Sequence, residues 1–360
     1  MQSTYIIKGT IESVQPLATA SKDLVDFGKK VYGANTPVPV PSFDNESGKH
    51  LYFPATGLRG ALRRALRDVL RNNLIERGGN GLLLDEHYLL TLGGIKGSGA
   101  EQRSTVKMEE EWRKRNVLLS LFGAGDAGVL NFVSGKSSVS NAICSNSVKP
   151  MNISGARTDD LFRNREGLSF LVDSEVNELI ARAEGNSKAS AIRKQISAKE
   201  VELRKAKRED MDVSGIEAEL STLNEKLEKT LKDSNASSVS VGMPLAGFQA
   251  IPPFTAMDHS IKLFNATETE LGGMLAALNR LSLNPIIGAH RAVGCGEIKA
   301  NYEVFKVGEQ DLELVMTLDV GGFIPMKVRT CNSDVFETAS QAFAAYLRSD
   351  DFDISVPYAI

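Results

Sequence analysis

The 360-residue chain has little of what marks several large protein classes. Its three cysteines, Cys144, Cys295 and Cys331, are odd in number and far apart. Such a set builds neither a disulfide framework nor a structural zinc site, and it fits a reducing cytoplasm. The four histidines, His50, His87, His259 and His290, are scattered without metal-ligand spacing, so neither a metal nor a cofactor is expected. No run of about eighteen apolar residues offers a membrane-spanning helix, and no membrane partner is expected. The opening MQSTYIIKGTIESV alternates as a strand does and lacks the layout of a secretion signal. Charge of one sign does not dominate either. The formal net charge is −3, which argues against indiscriminate nucleic-acid binding but leaves room for a local basic groove. The glycine-rich GGIKGSGAEQRS from Gly93 has no Gly-Lys-Ser/Thr ending, since Gly97 follows Lys96, so it is no P-loop.

What is present is globular: 42% hydrophobic and 24% charged residues, enough for one large or two modest domains. The informative stretch is Leu51 to Arg71, LYFPATGLRGALRRALRDVLR. A strand-like run ends at Pro54, Thr56 stands where an N-cap would, and a helix pattern follows. Leu58, Leu62, Ala65, Leu66 and Val69 recur at helical spacing and predict a buried stripe. Arg59, Arg63, Arg67 and Arg71 recur every four residues, with Arg64 beside them and Asp68 alone to offset them. A helix start attracts phosphate, and arginine grips phosphate oxygens in pairs. A solvated basic face on an ordinary amphipathic helix accounts for the same pattern.

Further along, Trp112 to Phe122 predicts a helix carrying Val117, Leu118 and Leu121 that stops at Gly123. A strand ending in Ser140-Asn141-Ala142 follows, and Leu121 and Phe122 are expected in the core. Residues 174–234 shift to Ala, Lys, Glu and Leu. Ile192, Ile196 and Leu203, then Ile216, Leu220, Leu223, Leu227 and Leu231, follow heptad-like spacing. They predict an antiparallel helical hairpin with arms of roughly 30 Å, the second capped by Ser214 with Glu217. Glu270 to Leu281 reads as an amphipathic helix, followed by the glycine-rich GAHRAVGCGEI from Gly288 to Ile298. Strands Leu312–Val320 and Phe323–Arg329 and a helix Ser333–Leu347 close the chain.

Three of these segments occur in a telling order: FPATGLRGALR at the start of a helix, Leu-Phe-Gly before a strand, and the glycine-rich loop. The order resembles the RAMP superfamily, and more narrowly the backbone subunits of multi-subunit CRISPR effector complexes, among which the resemblance leans to type IV. The resemblance implies an α+β fold: a ferredoxin-like, RRM-like core with an antiparallel sheet, a β-hairpin thumb and an inserted helical hairpin. The core would span 1–173 and 235–310, with the thumb at about 143–173, the hairpin at 174–234, and strands and a helix of 311–360 packed on the core.

The resemblance also implies a cytoplasmic, non-catalytic subunit of an antiviral ribonucleoprotein. It would bind CRISPR guide RNA, oligomerise head to tail along the spacer beside other subunits, and present the guide to target DNA or RNA. The RNA contacts it implies are Thr19, Ser21 and Lys22, then Thr56, Arg59, Arg63, Arg64 and Arg67. On the thumb they are Lys149, Met151, Arg157, Arg163 and Arg165, and in the glycine-rich loop His290, Arg291, Gly294 and Gly296. Slicing relatives carry an aspartate where Asn35 stands, and an amide is no general base, so no catalytic residue is expected. The alternatives are an endoribonuclease of the same superfamily and a coiled-coil-bearing scaffold.

Overall fold

Strand β1 (Ser3–Ser13) sets the frame, because Tyr5, Ile7 and Ile11 fall at even spacing on one face and are all buried. The computed structural model describes residues 2–19, 37–46, 48–79, 81–94, 105–127, 130–158, 172–208, 212–233, 242–331 and 333–355. After β1 come β2 (Ser42–Asn45), β3 (Gly48–Phe53), α1 (Ala55–Glu76), α2 (Leu84–Leu92), α3 (Val106–Arg115) and α4 (Val117–Phe122). Four short strands follow: β4 (Ala124–Ala127), β5 (Leu130–Val133), β6 (Ser137–Val139) and β7 (Ala142–Cys144). Then β8 (Met151–Thr158), α5 (Asp173–Arg208), α6 (Ser214–Asp233) and β9 (Gly242–Ala250) lead back to β10 (Thr255–Ala266) and α7 (Glu268–Leu283). The chain ends with β11 (Ile298–Val307), β12 (Leu312–Gly321), β13 (Lys327–Thr330) and α8 (Val335–Arg348).

The chain divides into two units, Met1–Ile153 with Gly247–Ile360, and Ser154–Ala246. In the first, one sheet runs β13-β12-β11-β1-β10-β7-β3-β2, with β6 also paired to β10. Its ladders are antiparallel. Within it the succession β1, α1, β7, β10, α7, β11 with spatial order β11-β1-β10-β7 is the ferredoxin-like α+β arrangement. One face of the sheet is covered. Ile7, Ile11, Met257, Ile261, Leu263 and Val304 meet Leu58, Leu62, Leu66 and Leu70 of α1 and Leu271, Met274 and Leu278 of α7 in one core. Each such side chain taken from water contributes about 2 kcal/mol. Leu121 and Phe122 are fully buried there. The two edge strands, β13 and β2, are each four residues long. Beyond β11, β12 extends the sheet, and α8 packs against α7.

Several local expectations are corrected. Helix α1 is capped by Pro54 and not Thr56, and the Ala55 N–H donates to Asn141 Oδ1 at 2.7 Å. A side chain from between β6 and β7 therefore satisfies one of the orphan donors at the start of the helix. The expected Trp112–Phe122 helix is two helices, broken at Asn116, whose carboxamide accepts from Leu119 N–H at 3.1 Å and caps α4. Helix α7 opens with a capping box between Thr267 and Glu270. The buried Glu270 carboxylate also accepts from the Ser120 hydroxyl at 2.5 Å and from Lys136 at 2.9 Å, tying α4 and the residue before β6 to the start of α7.

In the second unit, α5 and α6 pack on each other, joined by Lys199–Glu219 at 2.7 Å and Lys207–Glu217 at 3.0 Å. Arm α5 has 36 residues, so it is about 54 Å long and outreaches the expected 30 Å. Helix α6 starts at Ser214, whose N–H donates to Asp212 Oδ1 at 3.0 Å, so the cap lies upstream of Ser214. Strand β8 pairs with β9, on the far side of the helical arms in sequence.

Candidate nucleic-acid interface

The glycine-rich loop is built onto the end of β1. Val14 and Gln15 N–H donate to Glu297 O, Gly296 N–H to Pro16 O, and Ala289 N–H to Ala18 O, at 2.9 to 3.2 Å. Close approach fixes two of its glycines. Gly288 has φ +77°, and a Cβ there would collide with Ala18 O and stand 3.1 Å from the Phe53 ring. At Gly296, φ is +104° and a Cβ would collide with Ile287 O. The Phe53 ring also backs Gly57, where a Cβ would lie 2.8 Å from it. One aromatic ring thus seats both the first turn of α1 and the loop.

This places α1 and the loop on either side of a cleft of about 160 Å³. Its lining includes Arg64 and Arg67 of α1, Arg280 and Asn284 at the end of α7, and Arg291 of the loop, with Asp68. Asp68 is bonded to Arg67 at 2.8 Å, and Arg67 also donates to Thr91 Oγ1 at 2.9 Å. Burial, then the charges of Arg291 and Arg67, lower the Arg64 pKa, against a weaker pull from Asp68. Cations held together against their own repulsion favour an anion between them.

The residues expected to touch RNA fall into separate groups. Arg64 and Arg291 meet at the cleft with Arg67. Thr56 and Arg59 are exposed on α1, although the Arg59 guanidinium donates to Phe122 O. Thr19 is half-buried beside Ala18, which pairs with the loop at Ala289. His290 and Gly294 are exposed, and Lys149 and Met151 are exposed away from this cleft's lining. Ser21, Lys22, Asn35, Arg163 and Arg165, and the Arg157 side chain, lie outside the described residues.

Two expected contacts are corrected. Arg63 is 4% exposed. It donates from Nε to Leu90 O at 2.8 Å, from Nη2 to Leu89 O at 2.5 Å, and from Nη1 to Gly123 O at 2.9 Å and Phe122 O at 3.3 Å. Its charge closes the carbonyl ends of α2 and α4, where the helix dipole is negative. Burial, and then Arg59, lower its pKa to about 10. Gly296 is likewise buried, and its N–H is spent on Pro16.

Sequence reasoning missed Arg280 and Phe248. Arg280 sits in the last turn of α7, where a cation reads simply as a complement to the helix dipole. Phe248, on β9, stacks against His290 with ring centroids 3.6 Å apart and planes within 1°. No pattern in the sequence joins those two positions. Among the described residues, no group of three or more His, Cys, Asp or Glu side chains is placed to hold a metal ion, and no helix is long and apolar enough to cross a membrane.

An antiparallel ferredoxin-like sheet that carries a glycine-rich loop against an arginine-bearing first helix defines an α+β class of which one family is directly matched. The RAMP superfamily model matches residues 10–299, well over half of the chain, and the chain belongs to that superfamily. No curated protein matches it.

Proposed function

We propose that this RAMP-superfamily chain is a non-catalytic, guide-RNA-binding backbone subunit of a CRISPR ribonucleoprotein, of the type IV kind that the sequence resembles. Copies would repeat head to tail along the spacer, beside other subunits, and present the guide to target DNA or RNA. The observation that carries the reading is the cleft between α1 and the glycine-rich loop, with Arg64, Arg67, Arg280 and Arg291 against Asp68. Guanidinium groups stay charged at neutral pH and bind phosphate in pairs, but they cannot take a proton from a ribose hydroxyl. The cleft is equipped to hold a backbone and not to cut one. Contacts of this kind are indifferent to base sequence, as a subunit that serves any guide requires.

The test is binding of single-stranded RNA by the full chain across a salt series, with Arg64→Ala, Arg291→Ala and Arg71→Ala. Arg71 is exposed on α1 and outside the cleft lining. Each cleft substitution is expected to weaken all RNAs alike and to flatten the salt dependence by about 0.7 per lost phosphate contact. Arg71→Ala removes the same charge and is expected to leave the slope unchanged. Equal slopes for all three variants would sink the assignment of the cleft. For the backbone role, particle mass is expected to rise in steps with guide length, and a monomer at every length would contradict it.

A further inference from the structure

The cleft accounts for phosphate but leaves an exposed aromatic surface beside it unexplained. His290 immediately precedes Arg291 and is exposed. Its backbone lies in the left-handed region, at φ 57° and ψ 32°, although glycines stand at 288 and 294 of the same loop. A non-glycine residue seldom takes that conformation unless its surroundings impose it. Here the His290 carbonyl accepts from Val293 N–H at 3.1 Å and from Cys295 N–H at 3.4 Å, which fixes the turn. The ring is fixed as well. One face lies flat on Phe248, and Phe248 is 8% exposed and packed with Ala18, Ala250 and Cys295. Phe248 is itself held where Gln249 N–H donates to Val38 O at 2.7 Å.

We infer that the outer face of His290 is a stacking platform for one unstacked nucleobase of a single-stranded RNA whose phosphates lie in the Arg64–Arg291 cleft. This rests on the RNA-binding reading above and adds a base contact to it. A flat ring already seated on a second ring presents a third layer at the spacing that π-stacking uses. Because side chain and backbone are both held in place, little ordering entropy is lost when a base arrives. The neighbouring charges select what stacks: beside Arg291 and Arg64, a planar group that brings its own phosphate is favoured over the ring of a protein partner. Stacking tolerates every base, so the platform fixes the position of a nucleotide without reading its identity.

The experiment uses the full chain and single-stranded RNAs carrying the fluorescent base 2-aminopurine at successive positions. Stacking on the platform is expected to quench one position more than its neighbours. His290→Asn keeps a side chain that tolerates the left-handed backbone but removes the ring. It is expected to relieve that quenching and to weaken binding about fivefold or more. His290→Tyr is expected to restore both, and an abasic site at the quenched position should make the RNA indifferent to His290→Asn. Equal affinity and equal quenching in wild type and His290→Asn would overturn the platform while leaving the phosphate cleft standing. Equal losses in His290→Asn and His290→Tyr would also overturn it, since they would show that the loop's shape and not the ring matters. No RNA binding by the wild type would instead strike the RNA-binding reading itself.

Discussion

His259 Nδ1 and the Tyr302 hydroxyl are hydrogen-bonded at 2.9 Å across the central strand of the sheet. His259 is on β10 and Tyr302 on β11, and Gly9 of β1 pairs with both. The two flanking strands are about 9.5 Å apart, and the side chains meet because nothing projects from Gly9. A Cβ at that position would collide with Asn301 O. The His259 Nε2 has no partner, and burial pushes the imidazole pKa down to about 4. An unfolded histidine titrates near 6.5, so between about pH 6.5 and 4 the unfolded chain binds the extra proton. Stability is full above that window and falls as the pH drops through it, by about 2 kcal/mol at pH 5. Denaturant unfolding at pH 7 and pH 5 should show this loss in the wild type and a smaller one in His259→Gln. Identical pH dependence in the two proteins would rule out His259 as the source.

Arg63→Met should destabilise the fold by about 3 kcal/mol or more, because it leaves the Leu89, Leu90 and Gly123 carbonyls at two helix ends without their charged donor, while Phe122 O keeps Arg59. RNA affinity per folded molecule should stay close to that of the wild type. A normal melting temperature combined with weakened RNA binding would return Arg63 to the role that sequence alone suggested.

Replacing residues 187–233 with a short Gly-Ser bridge should leave a cooperative melting transition for what remains. Helices α5 and α6 satisfy each other through their packing and through the Lys199–Glu219 and Lys207–Glu217 pairs. Loss of the transition would mean that the arms are needed to fold the rest.

An assembled complex given complementary labelled RNA and a divalent ion should leave that RNA intact. The expectation comes from Asn35, which the resemblance places where slicing relatives carry a carboxylate. General acid–base catalysis contributes roughly a hundred- to ten-thousandfold, and an amide supplies none of it. Regularly spaced cuts on a denaturing gel would refute the expectation.

The sequence made the large features readable because each has a local signature. Alternation marked β1, Leu58, Leu62 and Leu66 marked the inner face of α1, and Gly288 to Gly296 marked the loop. The fate of the arginines was not readable. Four residues advance an α-helix by 400°, so Arg59, Arg63, Arg67 and Arg71 drift about 40° per step and share no face. Arg63 falls under the ends of α2 and α4, while Arg64, about 100° further round, reaches the cleft. Periodicity finds a stripe but says nothing of which neighbour covers it. Arg280 and Phe248 come to the site only through tertiary pairing, far from the residues they join. The break at Asn116 was hidden because two short helices in succession show nearly the period of one.

The short edges β13 and β2 bear on how copies of this chain can associate. A sheet ending in four-residue strands, one carrying Lys327 and Arg329, gives a neighbour almost no backbone to zip onto. A filament grown by strand addition would persist once formed, whatever RNA it had first gathered on. In the row proposed above no such continuous ladder would join the chains, so its length would be the length of the strand that it follows. Ribonuclease that reaches the guide should return it to single chains.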